Sequence, residues 1–157
     1  MAERIWVFFH LMGMAFWLGG MFTVSLWTSR ARKSGDLQLT AFAFETARRI
    51  YRGVVLIAAW LSVLSGGVLM VVTERAWFRP YPEHWIFQMQ ILGLFAVLVT
   101  MLFVVPNSSA LARLAARAAA EGETSEEFKA RVRNQGVVGS LIGVLLVYLV
   151  LMGAVRF

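Results

Sequence analysis

One ionisable side chain lies inside the first long apolar run of the sequence. The run extends from Ile5 to Trp27 without a formal charge, and His10 lies near its beginning. An imidazole inside a membrane-length apolar segment is costly unless something pairs with it, and imidazole is a common ligand for metals and haem iron. His10 is therefore the first candidate for a functional site. The alternative is a hydrogen bond that packs His10 against a neighbouring helix.

The residues that would share a helix face with His10 are small or aromatic. Gly13, Trp17 and Gly20 follow at offsets of three, seven and ten residues, which form one face of an α-helix. The two glycines leave space beside the imidazole for a flat cofactor or for the close approach of a second helix. Both interpretations stay open at this point.

The composition identifies the class of protein. Of the 157 residues, 59% are hydrophobic and 15% are charged, and the mean hydropathy is +0.70, whereas soluble domains carry about 25% charged residues. This composition predicts an integral membrane protein. The absence of cysteine excludes disulfides, thiolate metal sites, iron–sulfur clusters and c-type haem attachment. The net charge of +6 is expected to face anionic lipid and not nucleic acid, because no surface of interleaved basic and aromatic residues is visible.

Four apolar runs predict an all-α fold, an integral membrane four-helix bundle with antiparallel, up-down topology. The predicted spans of this single membrane domain, residues 1–157, are about 5–27, 51–73, 85–105 and 135–155. A helical extension at about 107–120 is expected to project past the membrane on the cytoplasmic side. Ser62 and Gly66 in the second span form a small-residue pair suited to close helix contact. Thr124 and Glu127 fit a capping box that opens the last helix.

Basic residues are concentrated in two of the three connections between the spans. They are Arg30, Arg32, Lys33, Arg48, Arg49 and Arg52 in the first connection and Arg113, Arg117, Lys129, Arg131 and Arg133 in the third. The positive-inside rule places these connections in the cytoplasm and both termini outside, as expected in a bacterial inner membrane. His10 and Met89 then belong to spans that start from the same outer side, and we expect them at one level across the bundle.

The order of several short motifs resembles a known family. His10 precedes Trp17-Leu18-Gly19-Gly20, the sequence Arg48-Arg49-Ile50-Tyr51 opens span two, Trp85 opens span three and Asn134 opens span four. Over nearly the whole chain this order resembles the small four-helix membrane proteins of the HemJ type, described as protoporphyrinogen oxidases that bind b-type haem. The histidine and the W-x-G-G motif are also shared with CopD-type copper-resistance domains. The resemblance implies haem b at His10, and Arg49 as a partner for haem propionates or porphyrin carboxylates.

Two positions depart from the HemJ pattern. Four residues after Trp85, where the pattern has a lysine, the chain has Met89, and Gln135 replaces a glutamate. Two ionisable groups that would handle protons are therefore missing, which puts the oxidase activity in doubt. Met89 becomes the candidate second axial ligand, since a thioether binds haem iron opposite histidine, although a methionine can also simply fill a gap in the core. The flanking Gln88 and Gln90 complete the candidate cofactor-binding residues.

Three classes of function remain open. The first is a haem-b membrane redox protein, either a porphyrinogen oxidase or an electron carrier toward quinone, so enzymatic activity is undecided. The second is CopD-like copper handling, because His10 and Met14 share a helix face and thioethers suit Cu(I). The third is a non-catalytic accessory subunit of a larger membrane complex, or a homo-oligomer. The lipid bilayer is a partner in every class, with quinone or porphyrin in the first and other membrane subunits in the third.

Overall fold

The computed structural model describes residues 2–78 and 84–155, and helices make up most of these ranges. The α-helices are α1 (Ala2–Lys33), α2 (Leu37–Ile50), α3 (Leu56–Val72), α4 (His84–Val99), α5 (Val105–Glu121) and α6 (Glu126–Val155). Two π-helical turns, Tyr51–Val55 and Thr100–Val104, join α2 to α3 and α4 to α5 without a break. The described chain therefore forms four long helices, each long and apolar enough to cross a membrane. The predicted all-helical membrane bundle is confirmed.

The four long helices surround one hydrophobic core. Helix α1 packs most extensively against α3, and α4 packs against α6, while contacts of α1 with α6 and of α3 with α4 complete the bundle. Helices α1 and α4 thus lie on a diagonal. Trp17, Val55, Val97 and Leu146 are almost fully buried between the helices. The outer surface carries large exposed apolar side chains along all four helices, as a surface that contacts lipid requires.

A second, smaller core lies beyond one end of the bundle. Phe44 of α2 and Phe128 of α6 meet edge to face with ring centroids 5.2 Å apart, and they pack against Leu111 and Ala115 of α5. We call α2, α5 and residues 126–132 of α6 the helical cap. The end of the molecule that carries the cap and both basic connections is called the basic end.

Local signals set the ends of the cap helices. Asp36 Oδ1 accepts hydrogen bonds from the backbone N–H groups of Gln38 and Leu39, which starts α2. Gly122 ends α5 at φ 83°, a left-handed conformation that favours glycine. Ser125 Oγ accepts from the backbone N–H of Phe128 at 3.2 Å, immediately before α6 begins. The predicted capping residue, Thr124, is therefore wrong by one position.

The π turn at Thr100–Val104 directly precedes Pro106. Proline has no N–H to donate, and its ring collides with the carbonyl four residues earlier in a regular α-helix. In the π turn the Val105 N–H instead donates to Thr100 O, five residues back. This shift in hydrogen bonding allows the helix to pass through Pro106 without ending.

Candidate functional site

The imidazole of His10 is held against α3. Its Nδ1 lies 2.7 Å from the carbonyl oxygen of Ser62. A carbonyl oxygen can only accept, so Nδ1 carries the proton and the lone pair of a neutral ring lies on Nε2. Histidines that bind metals almost always donate their other N–H in this way. The geometry therefore leaves Nε2 available as a ligand atom, and it also satisfies the packing interpretation.

Gly66 provides the space beside this ring. A Cβ atom added to Gly66 would lie 3.2 Å from Cε1 and 3.3 Å from Nδ1 of His10, which is tighter than ordinary contact. The small-residue pair Ser62 and Gly66 thus receives the imidazole edge, and the predicted close helix contact at this pair is confirmed. A glycine at position 66 therefore fits against the imidazole ring, whereas a residue with a Cβ atom would crowd the ring.

Gly13 and Gly20 bring α1 close to its neighbour. A Cβ atom on Gly13 would lie 2.6 Å from the backbone nitrogen of Ser62 and 2.9 Å from Ala58 O. A Cβ atom on Gly20 would lie 2.9 Å from a methyl group of Val55. Of the two interpretations left open for these glycines, the structure supports close helix packing, because α3 and the adjoining π turn fill the space beside both.

Trp17 is buried in the centre of the bundle. Its side chain is 1% exposed, and its indole N–H has no acceptor among the described residues. The hydroxyl of Thr100, also fully buried, is in the same condition. A buried donor left without a partner costs about 1–3 kcal/mol, so both are places where an acceptor would be stabilised.

Met89 lies against a different helix from the His10 ring. Its terminal methyl occupies the space next to Gly153 of α6, where an added Cβ atom would lie only 2.7 Å away. His10 contacts α3 through Ser62 and Gly66, and α1 and α4 lie on the diagonal of the bundle. The described contacts of Met89 support the gap-filling role.

The side chains of Gln88 and Gln90 form hydrogen bonds with other residues at the end of the bundle where Met89 lies. The Gln88 Oε1 accepts from the Tyr148 hydroxyl at 2.6 Å, which ties α4 to α6. Gln90 accepts from the backbone N–H of Phe78 at 2.8 Å and donates to the sulfur of Met70 at 3.6 Å. These amides therefore connect helices and the chain that follows α3.

Arg49 lies at the basic end, on the outside of the cap. Its side chain is 75% exposed, and its Nε donates to Glu45 Oε1 at 2.9 Å. Arg48 binds the same carboxylate through two nitrogens. Hydrogen bonds from Arg48 and Arg49 lower the pKa of Glu45 to about 2. Arg49 is thus part of a surface ion pair, at the opposite end of the bundle from His10.

The whole helical region matches one family model. The model, described as predicted integral membrane protein (DUF2269), matches residues 4–156. The chain belongs to this family. Membership of DUF2269 supports the membrane class, and it does not specifically support the HemJ or the CopD resemblance. No curated protein and no solved structure matches the chain.

This DUF2269 chain has a second polar location, which the sequence indicates only in part. At the basic end, three hydroxyl groups and an amide, those of Thr28, Tyr51, Ser108 and Gln135, line a small cavity between α1, the first π turn, α5 and α6. Its apolar wall is formed by Val24, Phe44, Ala47 and Leu111. The only signal in the sequence is that Tyr51 and Gln135 belong to the motifs that open spans two and four.

A partly buried polar network continues from this cavity. Gln135 Oε1 accepts from Asn107 Nδ2 at 2.8 Å, and Arg131 donates to Asn107 Oδ1 at 3.1 Å. Arg131 is itself bound to Glu127 at the surface. The network links α5 to α6 at the junction of bundle and cap, and it includes the half-buried Gln135, whereas Asn134 is exposed.

Proposed function

We propose that this protein is a HemJ-like, haem-b-binding membrane redox protein in which His10 Nε2 is the iron ligand. The observation that carries the proposal is the bond from His10 Nδ1 to Ser62 O at 2.7 Å, because it fixes the tautomer and the direction of the ring. When bound, haem would supply one-electron chemistry, and the protein supplies the ligand and its orientation.

Two further features fit such a group. Gly66 admits the ring edge against α3, so that the imidazole is held by backbone on one side. Trp17, on the same helix face as His10, offers a buried indole N–H that has no acceptor within residues 2–78 and 84–155. The chain's own residues would thus hold the group through His10, which binds the iron, while Trp17 places a donor on the same helix face.

Fewer residues are assigned to the haem than the HemJ resemblance implies. Met89 packs against Gly153, Gly13 and Gly20 pack against α3 and the adjoining π turn, and Arg49 pairs with Glu45 on the surface. We therefore name one protein ligand and no propionate partner.

Electron transfer is favoured over porphyrinogen oxidation. Oxidation of a porphyrinogen removes protons together with electrons and needs groups that accept them. The four predicted spans contain no aspartate, glutamate or lysine, and positions 89 and 135 are uncharged. We propose that single electrons pass from the haem toward quinone, a transfer that moves no proton through these spans; the two protons that a quinone takes up on full reduction would come from water at the membrane surface.

An accessory-subunit role is the second candidate. It is favoured by the contact of Gly13 with the Ser62 backbone, since this contact and the His10 bond can both serve helix packing alone. Copper handling through His10 and Met14 is the third. Each of the three candidate functions predicts a different bound group in the purified protein: haem, copper or neither.

The deciding experiment is an optical spectrum of the purified full chain, oxidised and reduced, after expression with a haem precursor. We expect a Soret band at about one haem per chain, lost in His10→Ala and kept in His84→Ala, which removes the other histidine. Circular dichroism and gel filtration verify that both variants fold. A folded wild-type protein with bound copper and no Soret band would support copper handling, and one with neither would support the subunit role.

We also propose that the basic end lies in the cytoplasm of a bacterial inner membrane. The support is the charge of the two connections at that end. Because the chain has no cysteine, single cysteines report the topology without background. Ser34→Cys in the first connection should react with an impermeant maleimide only in inverted vesicles, and Glu3→Cys only in right-side-out cells. The reverse labelling would overturn this orientation.

A further inference from the structure

The cavity at the basic end lies where three elements meet. Thr28 comes from α1, Tyr51 from the π turn that joins α2 to α3, and Ser108 from α5. The cavity has a volume of about 30 Å³. A water molecule needs roughly 10–15 Å³ of such volume and two to four polar partners. The space therefore suits one or two waters and is too small for a quinone ring.

The polar groups around the cavity have complementary free capacity. The Thr28 hydroxyl donates to Val24 O at 2.8 Å, and the Ser108 hydroxyl donates to Val105 O at 2.7 Å. Both oxygens therefore keep lone pairs that can accept. Tyr51 accepts a side-chain hydrogen bond from the Gln135 amide, and its phenolic O–H can still donate. A small molecule that both accepts and donates hydrogen bonds would satisfy the hydroxyl groups of Thr28, Tyr51 and Ser108.

We infer that an ordered water molecule occupies this cavity, accepting from the Tyr51 hydroxyl and donating to Ser108 Oγ and Thr28 Oγ1. The water connects α1, the π turn and α5 at the junction between the bundle and the helical cap. It supplies side-chain hydrogen bonds at a level where the backbone of the second long helix changes from the α to the π pattern.

The first test is a double-mutant cycle of thermal unfolding on the full chain in detergent. Tyr51→Phe and Ser108→Ala should each lower Tm by roughly 2–4 °C. Because both hydroxyls bind one water, the second substitution should cost clearly less after the first. Ser109→Ala is the matched control: its hydroxyl donates to the same Val105 O, but Ser109 does not line the cavity. The control should show no coupling to Tyr51→Phe.

The second test is a structure at a resolution that shows ordered water. Density for a water is expected within hydrogen-bonding distance of Tyr51 Oη and Ser108 Oγ, and it should be absent in Ser108→Val, whose side chain occupies part of the space. The wild-type density decides the matter even where a variant fails to fold. Additive effects in the cycle, an empty cavity or density for a larger molecule would overturn the inference.

Discussion

Gly13 lies directly against the backbone of Ser62, so that a Cβ atom on Gly13 would be 2.6 Å from the Ser62 nitrogen. The carbonyl of the same residue accepts from His10, one turn earlier on α1. Ser62 of α3 therefore takes part both in the close packing with Gly13 and in the hydrogen bond with His10. Any change in the α1–α3 separation must also change the position of the imidazole.

This contact predicts that Gly13→Ala destabilises the bundle. Backbone atoms of α3 cannot move aside as a flexible side chain can, so overpacking should cost about 1–3 kcal/mol. Gly19→Ala is the control, because no atom of the described part of the chain outside the local helix lies within 4 Å of a Cβ atom there. Alanine is the better helix former by about 1 kcal/mol, so the control should be neutral or stabilising. Unfolding in detergent measures both, and equal stability of the two variants would contradict the packing assignment.

Gly66→Ala should disturb the imidazole without removing it. The new methyl would lie 3.2 Å from His10 Cε1, and the ring must turn or move away from Ser62. Loss of an orienting contact of this kind lowers metal affinity by about tenfold or more. Haem retention measured by the Soret band, and the ¹⁵N NMR shift of the His10 ring in the haem-free protein, should both change. Gly67→Ala, which meets Trp77 only at an ordinary 3.5 Å, should change neither.

Stability should depend weakly on pH through Glu45. Its pKa is lowered from 4.5 to about 2 by hydrogen bonds from Arg48 and Arg49. The folded state therefore binds fewer protons than the unfolded state, and the contribution is present above pH 4.5 and is lost as the pH falls toward 2. The carboxylate is 37% exposed, so screening limits its value to less than about 1 kcal/mol.

The measurement compares Glu45→Gln with the wild-type protein at pH 7 and pH 3. The variant should be less stable at pH 7, and the difference should shrink at pH 3. Glu126→Gln removes an equal charge from the outside of α6 and corrects for net charge. A difference that grows on acidification would rule out the proposed role of the Glu45 pair.

Two phenylalanines two residues apart on α2 test the second core. Phe44 is 5% exposed and packs on Phe128, whereas Phe42 is 61% exposed. Phe44→Ala should destabilise the cap by about 3–5 kcal/mol, and Phe42→Ala by less than about 0.5 kcal/mol. Faster proteolysis of the α1–α2 and α5–α6 connections in Phe44→Ala alone would confirm the cap as a packed unit. Similar proteolysis of both variants would contradict it.

The number and kind of elements follow from the sequence because long uncharged runs leave few alternatives to membrane helices. Where those helices touch does not follow. Gly13 and Gly20 are equally suited to a cofactor or to a helix, and only the observed register of α1 against α3 decides. The π turn at Tyr51–Val55 contains no proline and has no sequence signal, whereas Pro106 marks the other one.

The candidate site was predictable to a smaller extent. An imidazole in an apolar run is costly and therefore indicates His10 as a site, and the small-residue pair with Gly66 indicates its partner Ser62 as a contact residue. That Met89 packs on α6 while His10 packs on α3 depends on which helices are diagonal, and the pairing of Arg49 with Glu45 depends on side-chain direction on an exposed helix. Tyr51, Ser108 and Gln135 come from distant parts of the chain and carry no charge, so no pattern connects them.

The second and third long helices contain 36 and 38 residues, or roughly 54–57 Å at 1.5 Å per residue. A hydrocarbon layer of about 30 Å covers little more than half of that length. The helical cap therefore extends beyond the hydrocarbon layer, and two continuous helices connect it to the bundle. A partner that binds the helical cap would therefore act on the helices around His10 without entering the bilayer.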